Sequence, residues 1–386
     1  MIRRFELDLV RVCVFLLLII YHASLMFGSR HFFINSPDSS SYFDIIHVIS
    51  TPWRMSLLFF ISGVAVASLL TRMSPSALRE KRSSQLLIPF ILGMILLIPP
   101  QIYVYFNATA GLPIGLIEVY RRYLMLSPFE LADGSQGLIV TMEHLWYLPY
   151  LWVYTTLLTL LLSVGQFELS TVARWLSSNL KGFGLLIWPM VLFASMRLAL
   201  RPLFPPTINL VDDWYSHAHY LTCFLGGVFL ARSPEFWEEL HRMRRIAFII
   251  VLITTPLMLF LWWSIPLSDS RGWNSLSSSL LAVCFMWSVI VAILGYAQNV
   301  KSHRHPAVGY ANKAILSLYV LHQPVMLLIA HGLSALGAFG SETFIPIIVL
   351  TTASCGLLYE GWRRTTQKLN SLPRRKNGID RGTSHS

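Results

Sequence analysis

The chain has 386 residues, of which 54% are hydrophobic and only 13% charged, with a mean hydropathy of +0.57 and a formal net charge of +11. Soluble domains carry roughly 25% charged residues, so this composition excludes a soluble enzyme and predicts an all-α, polytopic integral membrane protein. The positive charge follows the topology read below, and no nucleic-acid partner is expected.

Apolar runs near the length that crosses a bilayer recur at 9–27, 53–71, 86–106, 144–163, 182–200, 216–231, 246–266, 276–296, 314–332 and 343–362, which predicts about ten transmembrane helices. The sixth is short and contains Gly226 and Gly227, so its limits are the least defined. Residues 1–363 form one membrane domain, and 364–386 a basic tail expected to be disordered. With the N-terminus inside, 22 of the 30 Lys and Arg residues fall in inner segments and six in outer loops. That asymmetry predicts both termini in the cytoplasm, with the tail suited to anionic membrane lipid. Glu6 and Asp8 interrupt a positive leader, so the first span does not read as a cleaved signal. Cys13, Cys223, Cys284 and Cys355 fall singly in apolar spans, without metal or disulfide spacing.

The first span, "ELDLVRVCVFLLLIIYHASLMFG", carries Arg11 and His22. Ionisable groups inside a span are costly and mark function. Eleven residues make about 16 Å of helix, and about three turns, so both side chains share a face. Asp8 precedes Arg11 by three residues and can pair with it there. One face then offers a cation towards the cytoplasmic end and an imidazole towards the outer end. Arginine grips phosphate oxygens in a fork, and histidine takes protons near neutrality. The layout fits a coenzyme A thioester, with phosphates at one end and a reactive group on a long arm. Taken alone, Arg11 also suits a side chain snorkelling to the interface.

Other spans hold further polar groups. "MEHLWYLPY" puts Glu143 and His144 at the outer end of the fourth. "SLYVLHQPV" puts His322 near mid-depth in the ninth, two residues before Pro324, where it could act in a cavity or satisfy the backbone that the proline breaks. Arg54 starts the second span, on the acceptor side with Glu143, and Gly63 within it reads as a close helix contact. Glu360 lies at the inner end of the last span, at the level of Asp8 and Arg11, either countering Arg11 or standing as an interfacial carboxylate. Arg79 and Arg82 belong to a cation-rich inner loop able to hold phosphates. Asp212, Asp213, His217 and His219 cluster at one mouth, but two histidines at i and i+2 do not share a helix face, so no metal is expected.

These stretches resemble the acyltransferase 3 family of ten-span bacterial membrane acyltransferases. Arg11 and His22 match its Arg/Lys-x10-His signature, and "ELDLVR", "FFISG", "HLWYL" and "LSLYVLHQPV" stand in its order and spacing. Within it, "YHASLMFGSRHFFINS" and "WRMSLLFFISG" are similar to the branch associated with succinylating periplasmic glucans. The resemblance implies transfer of an acyl group, succinyl or acetyl, from cytoplasmic acyl-CoA to a hydroxyl of an extracytoplasmic glycan. It implies His22 as the catalytic residue, with His144 or His322 orienting it or stabilising an oxyanion. Arg11, with Asp8, Arg79, Arg82 and Glu360, would serve the donor, which is a co-substrate; no permanently bound cofactor is expected. The family's Arg-x-x-Arg before a proline reads here Arg82-Ser83-Ser84-Gln85, so its second arginine is replaced; Arg79 and Arg82 offer a substitute one turn earlier. A secondary transporter using the same intramembrane His, Arg and Glu, or a non-catalytic envelope partner, are the other readings the residues leave open.

Overall fold

The computed structural model describes residues 4–130, 134–139, 141–165, 169–265, 275–300 and 306–371; most of the predicted basic tail lies outside them. The helices are α1 (Phe5–Phe27), α2 (Ser41–Leu69), α3 (Pro75–Ala108), α4 (Leu116–Leu124), α5 (Tyr147–Ser163), α6 (Leu169–Asn179), α7 (Gly184–Leu200), α8 (Trp214–Leu230), α9 (Pro234–Ser264), α10 (Leu276–Ala297), α11 (Pro306–Ala335) and α12 (Phe344–Ser371). A 3₁₀ turn, Glu143–Trp146, leads into α5, and Phe129–Glu130 pairs antiparallel with Gln136–Gly137 in a two-stranded ribbon.

Helix starts follow the chemistry of orphan backbone amides. Ser40, Ser74, Ser233 and Ser275 cap α2, α3, α9 and α10, each accepting from an amide in the first turn. Pro75 and Pro234 open their helices, where the missing N–H costs nothing.

Among the described residues, eight helical segments are long and apolar enough to cross a membrane: α1, α2, α3, Glu143–Ser163, α9, α10, α11 and Ser341–Lys368. The protein is a multi-pass, all-α membrane protein. The sequence reading of ten differs at the fifth and sixth spans. There α7 has 17 residues and joins α6 through a 108° bend, and α8 also has 17. Gly182 sits at the bend with φ +57°, a left-handed conformation that breaks the helix. Counting α6 and α7 as one broken span gives nine. Two starts also move: α2 begins at Ser41 rather than 53, because Pro52 lies inside it, and α3 begins at Pro75 rather than 86.

Packing is closest where α2 crosses α8. A Cβ on Gly63 would lie 2.0 Å from the carbonyl oxygen of Phe224, and one on Gly227 would lie 2.0 Å from that of Phe60. The two glycines therefore admit each other's backbone, the small-residue contact expected at Gly63. Beside it, Ser56 and His219 hydrogen-bond at 2.8 Å in the buried seam. Because backbone cannot step aside as a side chain can, Gly63→Ala or Gly227→Ala should cost about 1–3 kcal/mol. Gly226→Ala is the control, since its Cβ would meet only the Phe60 ring at 3.8 Å. Thermal unfolding in detergent should show a lower midpoint for the first two and none for the third; equal behaviour of all three would contradict this crossing.

Candidate active site

Three helical elements bring His22, His144 and His322 together. His22 lies on α1, His322 on α11, and His144 in the 3₁₀ turn before α5. The rings of His22 and His322 have centroids 4.9 Å apart, and those of His144 and His322 lie 5.3 Å apart. His322 is fully buried and His144 nearly so, whereas His22 keeps partial exposure.

Backbone carbonyls set the tautomers, because a carbonyl only accepts. His322 Nδ1 stands 2.7 Å from the Tyr319 carbonyl, so it carries the proton and Nε2 carries a lone pair. That lone pair faces His22 Nδ1 at 3.2 Å. His22 Nδ1 also stands 3.0 Å from the Leu18 carbonyl, so this nitrogen donates, and His22 Nε2 is left with its lone pair. An imidazole held in this state is a base at Nε2.

His144 is fixed differently. Pro324 has no N–H, so the carbonyl of Val320, four residues earlier on α11, loses its helical partner. His144 Nε2–H donates to that carbonyl at 3.0 Å. Tyr319 returns the contact, its hydroxyl donating to the His144 backbone carbonyl. Of the two roles open to His322 beside Pro324, satisfying the freed carbonyl therefore falls to His144, from another element. The same device recurs on α3, where Tyr120 donates at 2.7 Å to the Leu96 carbonyl that Pro100 strands.

Arg54 is almost wholly buried. Its guanidinium lies 3.7 Å from the centre of the Tyr21 ring and donates to Ser50 Oγ at 3.0 Å. It is within electrostatic reach of His22 and His322, and its Nε is buried without a hydrogen-bond partner. Glu143 does not join this group; its carboxylate accepts from Thr141 Oγ1 at 2.8 Å, and its φ of +42° marks the entry to the turn.

The other end of α1 holds the cations. Arg11 donates to Asp8 at 3.4 Å and to Asn312 Oδ1 at 3.1 Å, and Asn312 Nδ2 donates to Asp8 at 3.0 Å. This triad lines a cavity of about 290 Å³ with Arg4, Arg72 and Ser68. Arg82 is close enough to Arg11 and Tyr147 to interact electrostatically with both. Arg79 stands apart, in a cavity with Glu80, Ser83 and Trp152. Glu360 does not counter Arg11: it binds Arg363 and Arg364 at 2.8 Å, the i+3 and i+4 partners its own helix supplies, and accepts from Tyr310 of α11 at 2.9 Å.

The cluster at 212–219 is also spoken for. Tyr150 donates to Asp213 at 2.8 Å, and His217 sits between Tyr154 at 3.0 Å and the Leu210 carbonyl at 2.8 Å. Among the described residues no three His, Cys, Asp or Glu side chains are arranged to hold a metal. The sequence reading missed Asn312, Tyr319, Tyr21 and His47. His47 stacks on Tyr21, centroids 5.3 Å apart, but a second span read from 53 left it in a loop.

A family model described as an acyltransferase domain matches residues 4–360. The chain belongs to the acyltransferase 3 family. Glucans biosynthesis protein C of Escherichia coli O139:H28 (strain E24377A / ETEC) is 24% identical over 340 residues, covering 84% of this chain and 82% of that protein. The same-named protein of Escherichia coli strain K12 is 24% identical over 344 residues with the same coverage. No solved structure matches. In this membrane acyltransferase Arg11 and His22 stand on one helix, eleven residues apart.

If His144 satisfies a carbonyl that Pro324 strands, His144→Leu should cost about 1–3 kcal/mol by leaving it unpaired. In a Pro324→Ala background, where residue 324 regains its N–H, the same change should cost markedly less. Thermal unfolding of the four proteins measures the coupling; equal costs in both backgrounds would refute it.

Proposed function

We propose that this acyltransferase moves an acyl group from cytoplasmic acyl-CoA to a hydroxyl of an extracytoplasmic glycan, in a bacterial inner membrane, with His22 as general base. The observation that carries the reading is the tautomer chain Tyr319 carbonyl–His322–His22, which leaves His22 Nε2 basic. The name of the relatives supports a glucan acceptor. The acyl group is succinyl or acetyl.

The helix sets the working distance. Arg11, with Asp8 and Asn312 holding its fork and Arg82 nearby, takes the phosphate end of the donor at the cavity beside Arg72. The pantetheine arm runs along α1 for about 16 Å and brings the thioester to His22. An acceptor hydroxyl gives its proton to His22 Nε2 as its oxygen bonds the thioester carbon. The tetrahedral intermediate collapses, the carbon–sulfur bond breaks, and the proton on Nε2 passes to the departing CoA sulfur.

The oxyanion needs a donor not already committed. His144 and His322 have given their N–H groups to Val320 and Tyr319, so they act as positioning residues. Arg54, with a buried unpartnered Nε, is the group placed to stabilise the developing charge. Direct transfer accounts for these parts without an acyl-enzyme.

His22→Ala should lower acyl transfer about 10²–10⁴-fold while the protein still inserts and folds. Turnover within a few-fold of wild type would dismiss His22 as base. Arg11→Ala should raise KM for acyl-CoA, and Arg11→Lys should recover part of it, keeping charge but losing the fork. An effect confined to the acceptor would reverse the two ends.

Ten spans with both termini cytoplasmic complete the proposal, α8 and the bent α6–α7 pair joining the eight long segments. In a background lacking the native cysteines, an impermeant maleimide on intact cells should label a cysteine at Ser40 and spare one at Ser371. The reverse would place Arg11 outside, away from CoA.

A further inference from the structure

A second cavity, of about 430 Å³, opens at the end of the bundle where α1 stops and α2 begins. This falls within the range of roughly 300–1,000 Å³ common for small-ligand sites. Arg30, Arg197, Arg201 and His47 contribute to its wall, and among the described residues no aspartate or glutamate does. Pro205, Pro206 and Trp262 supply flat apolar faces.

The cations are built in rather than loosely exposed. Arg30 belongs to an ordered loop: Asn35 Nδ2 holds the Arg30 carbonyl at 2.8 Å and the Leu25 carbonyl at 3.2 Å, and Asn35 Oδ1 accepts from the Phe32 amide at 3.0 Å. Arg197 Nε donates to Ser279 Oγ at 3.2 Å, tying α7 to α10. Arg30 Nε, Arg201 Nη1 and His47 Nδ1 are all buried without a hydrogen-bond partner. Asp44, one turn before His47, is turned away, accepting from the Ser29 amide at 3.1 Å and the Ser29 hydroxyl at 2.5 Å. Arg30 and Arg201, each with a stranded guanidinium donor in the wall of one cavity, make a site suited to an oxyanion.

The cavity is coupled to the histidines by ring contact. His47, in its wall, stacks on Tyr21 with an interplanar angle of 21°, and Tyr21 meets the His22 ring edge-on at 4.9 Å. Two rings, His47 and Tyr21, link a ligand seated here to His22.

We propose that this cavity binds an oxyanionic substituent, phosphate or carboxylate, carried by the acceptor glycan, so that the enzyme selects an already anionic glycan. Arg30 and Arg201 bind the anion, and Trp262 with the proline pair packs against the sugar ring. The carrier's identity rests on the glycan-acyltransferase reading; the anion site does not.

The test is a binding titration without acyl donor, which reads out whether or not His22 is the base. Full-length protein in nanodiscs of neutral lipid is titrated calorimetrically with a gluco-oligosaccharide bearing one phosphate monoester, and with its neutral parent. The phosphorylated sugar should bind roughly tenfold tighter or better, and the preference should shrink as salt rises. Arg30→Gln with Arg201→Gln should abolish the preference, and the Lys pair should keep part of it. Each single Gln variant should reduce it, which decides the matter if the double variant fails to fold. Equal affinity for the two sugars, or a preference unmoved by the variants, would overturn the proposal. So would displacement of the phosphorylated sugar by phosphatidylglycerol nanodiscs, which would assign the site to lipid headgroups.

Discussion

Pro324 strands the carbonyl of Val320 inside a membrane domain, where an unpaired backbone group is costly. The rest of the site follows from how that carbonyl is satisfied. His144 reaches it from the turn before α5, and Tyr319 grips His144 in return. The clasp joins α11 to the fourth apolar segment and spends His144's only N–H. It also holds the stretch of α11 that presents His322 to α1. A polar group that the fold must satisfy thereby fixes the register of three helices around His22.

Two consequences follow for chemistry. The carbonyls of Tyr319 and Leu18 dictate which nitrogen of each ring carries hydrogen, and the outcome is a basic Nε2 on His22. The same bonds commit the N–H groups of His144 and His322, so in the proposed mechanism Arg54, packed on Tyr21, is the cation left to meet the oxyanion. At the far end of α1, Asn312 binds both Asp8 and Arg11, so the cation there is held by two helices rather than free to snorkel. One straight helix carries both ends, and rigid geometry sets the span between them.

Arg11, His22 and their shared face were legible in sequence because both lie on one continuous helix, where residue spacing is distance. Gly63 was legible for a similar reason, since a small residue inside an apolar run has few other uses. The clasp was not legible, although His144 and Pro324 were each visible. Its acceptor is a backbone carbonyl, which leaves no mark in composition. Hydropathy put Glu360 at the end of the last span but gave no rotation about the bundle; the arginines three and four residues on were the better signal. Hydropathy counted the 17-residue α7 as a full span, and starting the second span at 53 hid His47 and with it the wall of the second cavity.

In the proposed mechanism one helix carries the acyl group's path across the bilayer, with donor phosphates at Arg11 and transfer at His22. Reconstitution of the purified acyltransferase into sealed vesicles with known orientation tests it most directly. Labelled acyl-CoA is supplied on one face and a glucan acceptor sealed on the other. Labelled ester should form on the glucan only when the donor faces the Arg11 end of α1. Transfer that requires donor and acceptor on the same face would contradict it.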